Sequence, residues 1–457
     1  MTKERRWYRY LQHARRRLGK NSSPGDGVRS SYQRDFDRIV FSGDFRQLQN
    51  KTQVLPFPDR ESIRNRLTHS LETSSVGRSL GYMLGEHLQQ HYGEMLRELQ
   101  MDANDFAFMV AAAALAHDIG NPPFGHQGEA AISAFFRSEV AAPFLENLTD
   151  KQRADLQHFE GNAAGFHILS HTIDPRSPFK GGLRLSLGTY GAFVKYPKES
   201  LPQRSKEGAK SLKKYGIFQA GMSTFEEIAG ALNLIPQHHE QGKAWKRHPL
   251  VFLTEAADDI CYSIIDLEDG YHLDRIGYEK IFSLLDALIR VVGMKENYEQ
   301  YLEKIPGKRQ RIAFMRATAI DRLIHSTMDV FLENEDAILD GRFDRSLTGA
   351  LPEKVRKILD EIEKISIRHI YHHPAVLEKE AAGKNIIPFL LEKFTKAVFH
   401  PDDHKQCHLL MPEPYREAAQ AGDDYTKLLN TALFVASLSD RQAVRRYRKW
   451  HGAEGEW

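Results

Sequence analysis

The sequence predicts an all-α fold, because apolar residues recur at the spacing of one helical face along most of the chain. Two further observations support this prediction. Proline and glycine fall mostly between the amphipathic stretches, and few segments show the strict apolar–polar alternation of a strand. One short hairpin, near residues 371–376, is the only β-structure that the pattern allows. No repeat or low-complexity tract interrupts the helices.

Composition limits the classes of protein that this chain can represent. The 457 residues suffice for two or three average domains, and 63 Lys+Arg balance 61 Asp+Glu, so bulk charge gives no reason to bind nucleic acid. Two cysteines, Cys261 and Cys407, provide no disulfide framework and suit a reducing cytoplasm, where we expect the protein. The longest apolar run is far too short for a membrane span, and we recognise no secretory signal, so we expect no membrane association.

The pattern divides the chain into three parts. Residues 1–33 form a basic helix and a flexible Gly/Ser/Pro stretch, residues 34–290 form the core, and residues 291–457 form a helical portion packed on the core. The basic helix has two interpretations, a surface helix on the body or a nucleic-acid contact. In the last part, amphipathic helices are predicted at residues 311–336, 351–368 and 386–399, and the final region, residues 425–447, contains the DRQA segment.

The chemistry is concentrated in residues 111–129, AAAALAHDIGNPPFGHQGE. An apolar helix over residues 106–116 delivers His117 and Asp118, and a proline-rich turn then ends the helix. His126 and Glu129 follow at the i, i+3 spacing of one helical face. Imidazole and carboxylate groups side by side are typical of a metal site. His126 and Glu129 are interpreted as a catalytic acid–base pair outside the metal ligands, with a structural histidine as the alternative.

Two other helices offer the remaining metal ligands. His69 lies within a helix predicted over residues 63–80. In the helix over residues 253–269, Asp258, Tyr262 and Asp266 share the face opposite the apolar residues. That face has an ordinary alternative, a solvated acidic surface. Because the cluster needs one more carboxylate, we predict a divalent cation bound by His69, His117, Asp118 and Asp258.

Three more histidines, His158, His167 and His171, also have roughly helical spacing and could mimic a second metal site. We interpret them as partly buried histidines that form hydrogen bonds with the backbone. A metal site built from histidines alone at this spacing is the alternative.

Several longer segments are more specific than the ligand pattern itself. They are FRQLQNKTQVLPF, RNRLTHSLETSSVGRSLG, LAHDIGNPPFGHQGE, HFEGNAAGFHIL, KYPKE, KKYGIF, RHPLVFLTEAADDICYSIIDLED and SLSDRQA. Together they resemble the deoxyguanosinetriphosphate triphosphohydrolase (dGTPase) family of the HD-domain metal-dependent phosphohydrolase superfamily. The resemblance runs from about residue 34 to residue 447.

The resemblance implies an activity, a cofactor and partners. The expected reaction splits a deoxynucleoside triphosphate, with dGTP preferred, into a deoxynucleoside and tripolyphosphate. The expected cofactor is one divalent metal ion per subunit, Mn²⁺ or Mg²⁺ first and iron or another transition metal as alternatives. The expected partners are the nucleotide substrate, further copies of the chain in a homo-oligomer (a hexamer), and single-stranded DNA or a dNTP as effector.

The resemblance also assigns residues to the phosphates and the nucleoside. Gln53 would form hydrogen bonds with the deoxynucleoside, since an amide both donates and accepts. Arg66 and Lys214 would neutralise phosphate charge, and Tyr215 would meet the triphosphate beside Lys214. Arg46 and Lys195 are weaker phosphate candidates. Without the resemblance these positions have ordinary alternatives as loop residues or surface ion pairs.

The sugar is expected along the helix that carries Asp258. By the resemblance, Tyr262 would lie against C2′ and leave little room for a 2′-hydroxyl, and Asp266 would accept a hydrogen bond from the 3′-hydroxyl. Whether His126 acts as an acid or a base stays open. Two alternative functions also stay open, an HD-type phosphodiesterase or nucleotidase on other nucleotides, and a nucleotide-sensing or nucleic-acid-binding module without catalysis.

Overall fold

The computed structural model describes residues 1–18, 29–53, 64–179, 181–201, 210–237 and 242–452. Almost all regular structure in these residues is helical, so the all-α prediction is confirmed. Most of the stretch predicted to be flexible lies outside the described residues. No helix within them is both long and apolar enough to cross a bilayer.

The first eleven helices run from the N-terminus to the helix that carries Asp258. They are α1 Lys3–Leu11, α2 Ser31–Val40, α3 Gly43–Gln47, α4 Arg66–Glu98, α5 Ala103–Ala116, α6 His126–Phe136, α7 Asp150–Gln157, α8 Gly161–Ser170, α9 Leu187–Phe193, α10 Met222–Ala231 and α11 Val251–His272. The remaining α-helices are α12 Tyr278–Val292, α13 Tyr298–Lys304, α14 Lys308–Glu333, α15 Glu335–Leu339, α16 Glu353–Ser366, α17 Pro374–Phe399, α18 Lys405–Leu410, α19 Glu413–Ala421, α20 Asp424–Ser437 and α21 Asp440–Trp450.

Short segments complete the architecture. The 3₁₀ turns are Leu48–Asn50, Ala142–Leu145, Lys210–Leu212, Gln219–Gly221 and Thr348–Ala350, and Ile367–Tyr371 is a π-helical turn. Two antiparallel strands, β1 Pro236–Gln237 and β2 Ala244–Trp245, form the one sheet of the described residues, with Pro236 opposite Trp245.

The prediction of a hairpin near residues 371–376 is wrong. The chain leaves the π-helical turn at Tyr371 and enters α17 at Pro374. Proline suits the first position of a helix because its missing N–H needs no partner there. The His373 side chain caps the same helix by accepting a hydrogen bond from the backbone N–H of Ala375.

Small residues allow α4 and α5 to pack closely. A Cβ atom on Gly81 would lie 2.5 Å from the carbonyl oxygen of Phe106, and one on Gly85 would lie 2.5 Å from the Cα atom of Ala103. Only glycine fits at such a separation of two backbones. This packing fixes the start of α4 beside the end of α5, where His69 and His117 lie.

Two apolar clusters form the core. The first joins α4, α5 and α11 with α12, α14 and α16, and the second joins α6 to α8 with α17, α19, α20 and α21. The second cluster therefore packs C-terminal helices against the segment that begins at His126. Buried apolar residues between Tyr298 and Ile370 belong instead to the first cluster.

The basic helix α1 lies on the body of the protein. Trp7 is buried and its Nε1–H donates to Glu335 Oε1 at 2.7 Å. Arg6 forms ion pairs with Asp336 and, at 2.7 Å, with Asp340. Because carboxylates of α15 and its C-terminal end pair with this part of the basic charge, the structure favours the surface-helix interpretation.

Candidate metal centre and its cavity

Three helices bring two imidazoles and one carboxylate together. His69 lies in the first turn of α4, His117 directly follows α5, and Asp258 lies in α11. His69 Nε2 is 3.1 Å and His117 Nε2 is 3.5 Å from Asp258 Oδ1, and the ligand atoms all lie within 4.8 Å of one another. Among the described residues this is the one cluster of its kind. Nitrogen and carboxylate donors at this spacing fit a divalent transition metal or Mg²⁺.

The protonation of the cluster also fits a cation. His117 Nδ1–H donates to the carbonyl oxygen of Ala114 at 2.7 Å, so the lone pair of Nε2 faces the cluster. Burial raises the pKa of Asp258, but His117 and His69 outweigh burial and hold that pKa well below its ordinary value. Burial lowers the pKa of His69, whereas Asp258 and Asp118 raise it above its ordinary value overall. The carboxylates therefore favour positive charge at this position.

Asp118 lies at the edge of the cluster. Its Oδ1 is 3.6 Å from His117 Nε2 and accepts a hydrogen bond from the Asn121 amide. Its Oδ2 accepts from Arg66 Nη1–H at 2.8 Å. Burial raises the pKa of Asp118, but Arg66 and then His117 lower it below the ordinary value. Asp118 is thus ionised and adjacent to the cluster, and its role as the fourth ligand stays a prediction.

The cluster opens into a cavity of about 580 Å³. The predicted site residues that line this cavity are Gln53, Arg66, His69, His117, Asp118, His126, Glu129, Lys214, Asp258 and Tyr262. Two predicted residues, Tyr215 and Asp266, do not line it. The volume lies within the range of small-molecule sites.

His126 and Glu129 both line the cavity, but no hydrogen bond joins them in the described part of the chain. Glu129 Oε1 accepts from the backbone N–H of Gly161 at 2.8 Å, and Oε2 is 3.9 Å from Lys214 Nζ. The expectation that Glu129 orients His126 therefore does not match the structure, because Glu129 is directed towards the start of α8. Burial lowers the pKa of His126, and Lys214 and Arg66 lower it further.

The Lys-Tyr pair divides between the cavity and the core. Lys214 lines the cavity and its Nζ donates to Glu160 Oε1 at 2.8 Å. Tyr215 is buried in the second apolar cluster, and its hydroxyl donates to the carbonyl oxygen of Asp155 at 2.8 Å. The Tyr215 hydroxyl is thus used within the core, but Tyr215 also lines a neighbouring cavity together with His126, Glu129 and Lys214, so its contact with a triphosphate stays a prediction.

Tyr262 and Asp266 meet through a residue that the sequence analysis missed. Tyr262 is 41% exposed towards the cavity, and its ring stacks on Tyr371 with centroids 5.9 Å apart and 9° between the planes. Tyr371 also lines the cavity, and its hydroxyl donates to Asp266, which is buried. Burial raises the pKa of Asp266 to about 7, although the Tyr371 hydrogen bond opposes this rise. Asp266 therefore reaches the cavity through Tyr371 and not directly.

Gln53 and the two weaker phosphate candidates differ in position. Gln53 lines the cavity, and its Oε1 is buried without a hydrogen-bond partner among the described residues. Lys195 lines the cavity with Nζ 3.4 Å from Glu255 Oε1. Arg46 donates to the carbonyl oxygen of Phe41 at 3.0 Å and is not a lining residue. An unpaired buried acceptor is costly, so Gln53 Oε1 is available to a hydrogen-bond donor of a ligand.

The other histidines do not form a metal cluster within the described residues. His167 and His171 stack with centroids 4.4 Å apart and 1° between the planes. Burial lowers the pKa of both. His171 Nδ1 contacts Ser170 Oγ at 2.8 Å and its Nε2 lies 3.4 Å from Thr224 Oγ1. The imidazole also forms hydrogen bonds with the backbone of His167 and Ala220, as expected for a partly buried structural histidine.

Comparisons with known proteins agree with this geometry. Residues 66–176 match the HD domain, and residues 349–449 match the phosphohydrolase-associated domain. A deoxyguanosinetriphosphate triphosphohydrolase-like protein of Synechocystis is 40% identical over 98% of this chain and 99% of its own length. A protein of the same name from Pseudomonas aeruginosa is 35% identical over 96% and 97% of the two chains.

A deoxyguanosinetriphosphate triphosphohydrolase of Yersinia enterocolitica is 28% identical over 84% of this chain and 81% of its own. The HD match contains His69, His117 and Asp118, and it implies a divalent metal that the cluster described above is able to hold. The near full-length similarity and the HD match together show that the chain belongs to the dGTPase family of HD-domain proteins and is a metal-dependent hydrolase.

Proposed function

We propose that this protein hydrolyses deoxynucleoside triphosphates, with dGTP preferred, to a deoxynucleoside and tripolyphosphate. The observation that carries the proposal is one cavity in which a His₂Asp cluster, cationic side chains and a stacked tyrosine pair lie together. The names of the relatives support the same reaction. We further propose a cytoplasmic homo-oligomer, a hexamer as the resemblance implies, and single-stranded DNA or a dNTP as its effector.

His69, His117 and Asp258 are proposed to hold the divalent cation, with Asp118 as the fourth ligand. When bound, the cation supplies Lewis-acid polarisation of a phosphate oxygen and a more acidic water. The hydrogen bond from His117 Nδ1–H to Ala114 keeps the coordinating nitrogen directed at the site. We propose Mn²⁺ or Mg²⁺ as the metal, since hard and borderline donors are mixed in this set.

Arg66, Lys195 and Lys214 are proposed to neutralise the triphosphate. Each lines the cavity and each is paired with a carboxylate of the protein, Asp118, Glu255 and Glu160 respectively. A triphosphate carries several negative charges and can share these cations. Guanidinium and ammonium groups form their strongest hydrogen bonds with such oxygens.

His126 is proposed to move a proton at the α-phosphate. Water attacks the α-phosphorus, the bond from that phosphorus to O5′ breaks, and O5′ ends protonated on the deoxynucleoside. A neutral imidazole takes a proton from the attacking water, and an imidazolium gives one to O5′. Burial holds His126 neutral at pH 7 in the free protein, whereas bound phosphate would add negative charge beside it and raise its pKa.

The stacked pair Tyr262 and Tyr371 is proposed as the surface on which the sugar lies. Both rings line the cavity that contains the metal cluster, and Tyr262 lies one helical turn beyond Asp258 on the same helix. A ring packed under C2′ leaves little space for a 2′-hydroxyl. Gln53, with its unpaired Oε1, is proposed to accept a hydrogen bond from the nucleoside.

Tyr262→Ala should weaken discrimination between dGTP and GTP. Removing the ring opens space at C2′, so kcat/KM for GTP should rise relative to kcat/KM for dGTP by roughly 10-fold, the scale of one added contact in a pocket. The measurement is steady-state kinetics with both nucleotides. An unchanged ratio would place the sugar elsewhere in the cavity.

Asp266→Ala and Tyr371→Phe should raise KM for dGTP to a similar extent. Each change breaks the hydrogen bond that holds the Tyr371 ring, and leaving a buried partner unpaired costs about 1–3 kcal/mol. Because both act on the same ring, the double variant should have nearly the same KM as either single variant. Additive effects would instead show that Asp266 contacts the substrate directly, as the sequence analysis expected.

The proposed reaction is tested by chromatography of products from each of the four dNTPs, GTP, dGMP and a cyclic nucleotide with added Mn²⁺. The proposal expects tripolyphosphate and deoxynucleoside, fastest from dGTP. Turnover of dGMP or of the cyclic nucleotide without tripolyphosphate would indicate a nucleotidase or phosphodiesterase, and no turnover would indicate a sensing module.

A further inference from the structure

Asp440, the first residue of α21, collects hydrogen bonds from three separate segments of the chain. Its side chain is buried, with 1% of the residue exposed. Oδ1 accepts from the backbone N–H of Phe124 at 2.9 Å. Oδ2 accepts from the Thr52 hydroxyl at 2.5 Å and the Thr52 backbone N–H at 3.3 Å, and it pairs with Lys379 Nζ at 2.9 Å. One carboxylate therefore connects the C-terminal helices with two loops of the core.

The groups that Asp440 holds lie beside proposed site residues. Phe124 is two positions before His126, and Thr52 directly precedes Gln53. Thr52, Phe124 and Lys379 themselves line the cavity. Asp440 does not line it, so any effect on the reaction passes through these neighbours.

A second buried charge ties the same regions together. Lys51 is 3% exposed, and its Nζ donates to the carbonyl oxygens of Asn121 at 2.6 Å and Ala436 at 2.9 Å. Asn121 opens the proline-rich turn and Ala436 lies in α20, close to Asp440. The turn before His126 is thus attached to the C-terminal helices at both of its ends.

That turn needs such support because its backbone is strained. Phe124 has φ of 65° and Gly125 has φ of 60°, so two successive residues adopt positive φ. Glycine tolerates this region, but phenylalanine does not, and such residues persist where the surrounding structure holds them. The Phe124 ring also packs on α17, where a Cβ atom on Gly383 would approach it to 2.9 Å.

We propose that Asp440 is a positioning residue for the reaction, which sets the orientation of His126 through the Phe124 turn and of Gln53 through Thr52. The inference rests on the proposed function and extends it to the segment that matches the phosphohydrolase-associated domain. It gives that segment a defined task, which is to hold the catalytic turn in the conformation that directs His126 into the cavity.

The ionised carboxylate suits this task better than an amide. Its two oxygens accept from Phe124 on one side and from Thr52 and Lys379 on the other. An asparagine has one acceptor oxygen, so its NH₂ group would face either the Phe124 N–H or the Thr52 and Lys379 donors. Asp440→Asn therefore removes the hydrogen bonds on one side of the Asp440 side chain, while the side-chain volume stays nearly constant.

The first test is Asp440→Asn in the full chain. Its kcat for dGTP should fall by on the order of 10- to 100-fold, the scale of a small misplacement of a catalytic group, with metal content unchanged. The matched control is Asp35→Asn. Asp35 is also fully buried and accepts from Arg17, Ser186 and Thr189, and none of these lines the cavity.

The control separates positioning from general stability. Asp35→Asn should lower Tm while kcat stays within about 2-fold of wild type, as for changes far from a site. If Asp440→Asn lowers only Tm and leaves kcat unchanged, the inference is overturned. If Asp440→Asn does not fold, the variants Thr52→Val and Lys379→Met replace it. Each should lower kcat by about 3- to 10-fold. An unchanged kcat in both variants overturns the inference.

A double variant identifies the path of the effect. In the His126→Ala background, Asp440→Asn should lower kcat by no more than about 3-fold, because residues that act as a unit are not additive. A full multiplicative loss would show that Asp440 acts independently of His126 and would contradict the part of the inference that runs through the Phe124 turn.

A readout without turnover keeps this test separate from the proposed function. Diethyl pyrocarbonate modification of His126, followed by mass spectrometry of its peptide, should change in rate by more than about 2-fold in Asp440→Asn, because the environment of the imidazole sets its reactivity. The Asp35→Asn rate should match wild type. If the modification rate changes in Asp440→Asn but the wild-type protein releases no tripolyphosphate, the proposed function is wrong and the positioning of His126 by Asp440 still holds. Equal rates in all three proteins would reject the positioning role.

Discussion

His117→Ala loses the bound metal and nearly all activity while the chain stays folded. His117 supplies one of the three ligand atoms that lie within 4.8 Å of one another, and Ala114 fixes its coordinating nitrogen. The loss of activity should exceed the roughly 10- to 100-fold loss that is typical when a residue hydrogen-bonded to a metal ligand is removed. Asp118→Ala is expected to behave in the same way if Asp118 completes the ligand set.

Metal content per chain, measured by mass spectrometry on the purified variants, checks this expectation together with Tm. His171→Ala is the matched control, since His171 is a histidine outside the cluster and should keep full metal content. Full metal occupancy in His117→Ala would show that His117 is not a metal ligand and would contradict the proposed metal centre. Full occupancy in Asp118→Ala alone would give Asp118 a different task, the orientation of Arg66, with which it already pairs at 2.8 Å.

His126→Ala keeps its metal but lowers kcat by on the order of 10² to 10⁴, the range for losing a general acid–base group. The side chain faces the cavity from the first turn of α6 and is not a member of the ligand cluster. Turnover within a few-fold of wild type would make His126 structural and would remove the proton-transfer step from the mechanism.

The pH profile decides the direction of proton transfer. Burial, Lys214 and Arg66 lower the pKa of His126, so in the free protein the imidazole becomes protonated only below its ordinary value of 6.5. If His126 is the base, kcat/KM falls as pH drops through that pKa; if it is the acid, kcat/KM falls as pH rises through it. His126→Ala should abolish the fall in kcat/KM that the wild-type protein shows. Glu129→Gln tests whether the Glu129 carboxylate near Lys214 contributes to that pH dependence.

Helical periodicity was sufficient to predict the all-α fold, whereas most roles of the site residues came from the family resemblance. His69, His117 and Asp258 lie on three helices, and glycine and alanine packing between α4 and α5 leaves little freedom in how the first two residues meet. Tyr262 faces the cavity as its spacing from Asp258 predicts.

The remaining contacts depend on tertiary packing that no local pattern carries. Tyr371 comes from a π-helical turn far along the chain and separates Asp266 from the cavity, although both residues that it contacts share the helical face of Asp258. Periodicity gave the correct face but not the depth of burial along it. Glu129 likewise lies at the expected spacing from His126 and yet accepts a hydrogen bond from Gly161, because α8 begins beside it.

Asp440 shows the same limit over a longer separation. The SLSDRQA segment was recognisable as part of the family resemblance, but its contacts with Thr52 and Phe124 join residues more than 300 positions apart. Such contacts arise where the second apolar cluster brings C-terminal helices onto α6. The sequence therefore indicated that the segment matters without showing what it touches.

The central claim, hydrolysis at the α-phosphorus of a deoxynucleoside triphosphate, is tested most directly by hydrolysis of dGTP in water enriched in ¹⁸O. Attack of water on the α-phosphorus with loss of O5′ places the label in tripolyphosphate and none in the deoxynucleoside. Mass spectrometry of both products after a single turnover should show one ¹⁸O atom in tripolyphosphate and unlabelled deoxyguanosine. Label in orthophosphate or pyrophosphate, with dGDP or dGMP as the other product, would contradict the account.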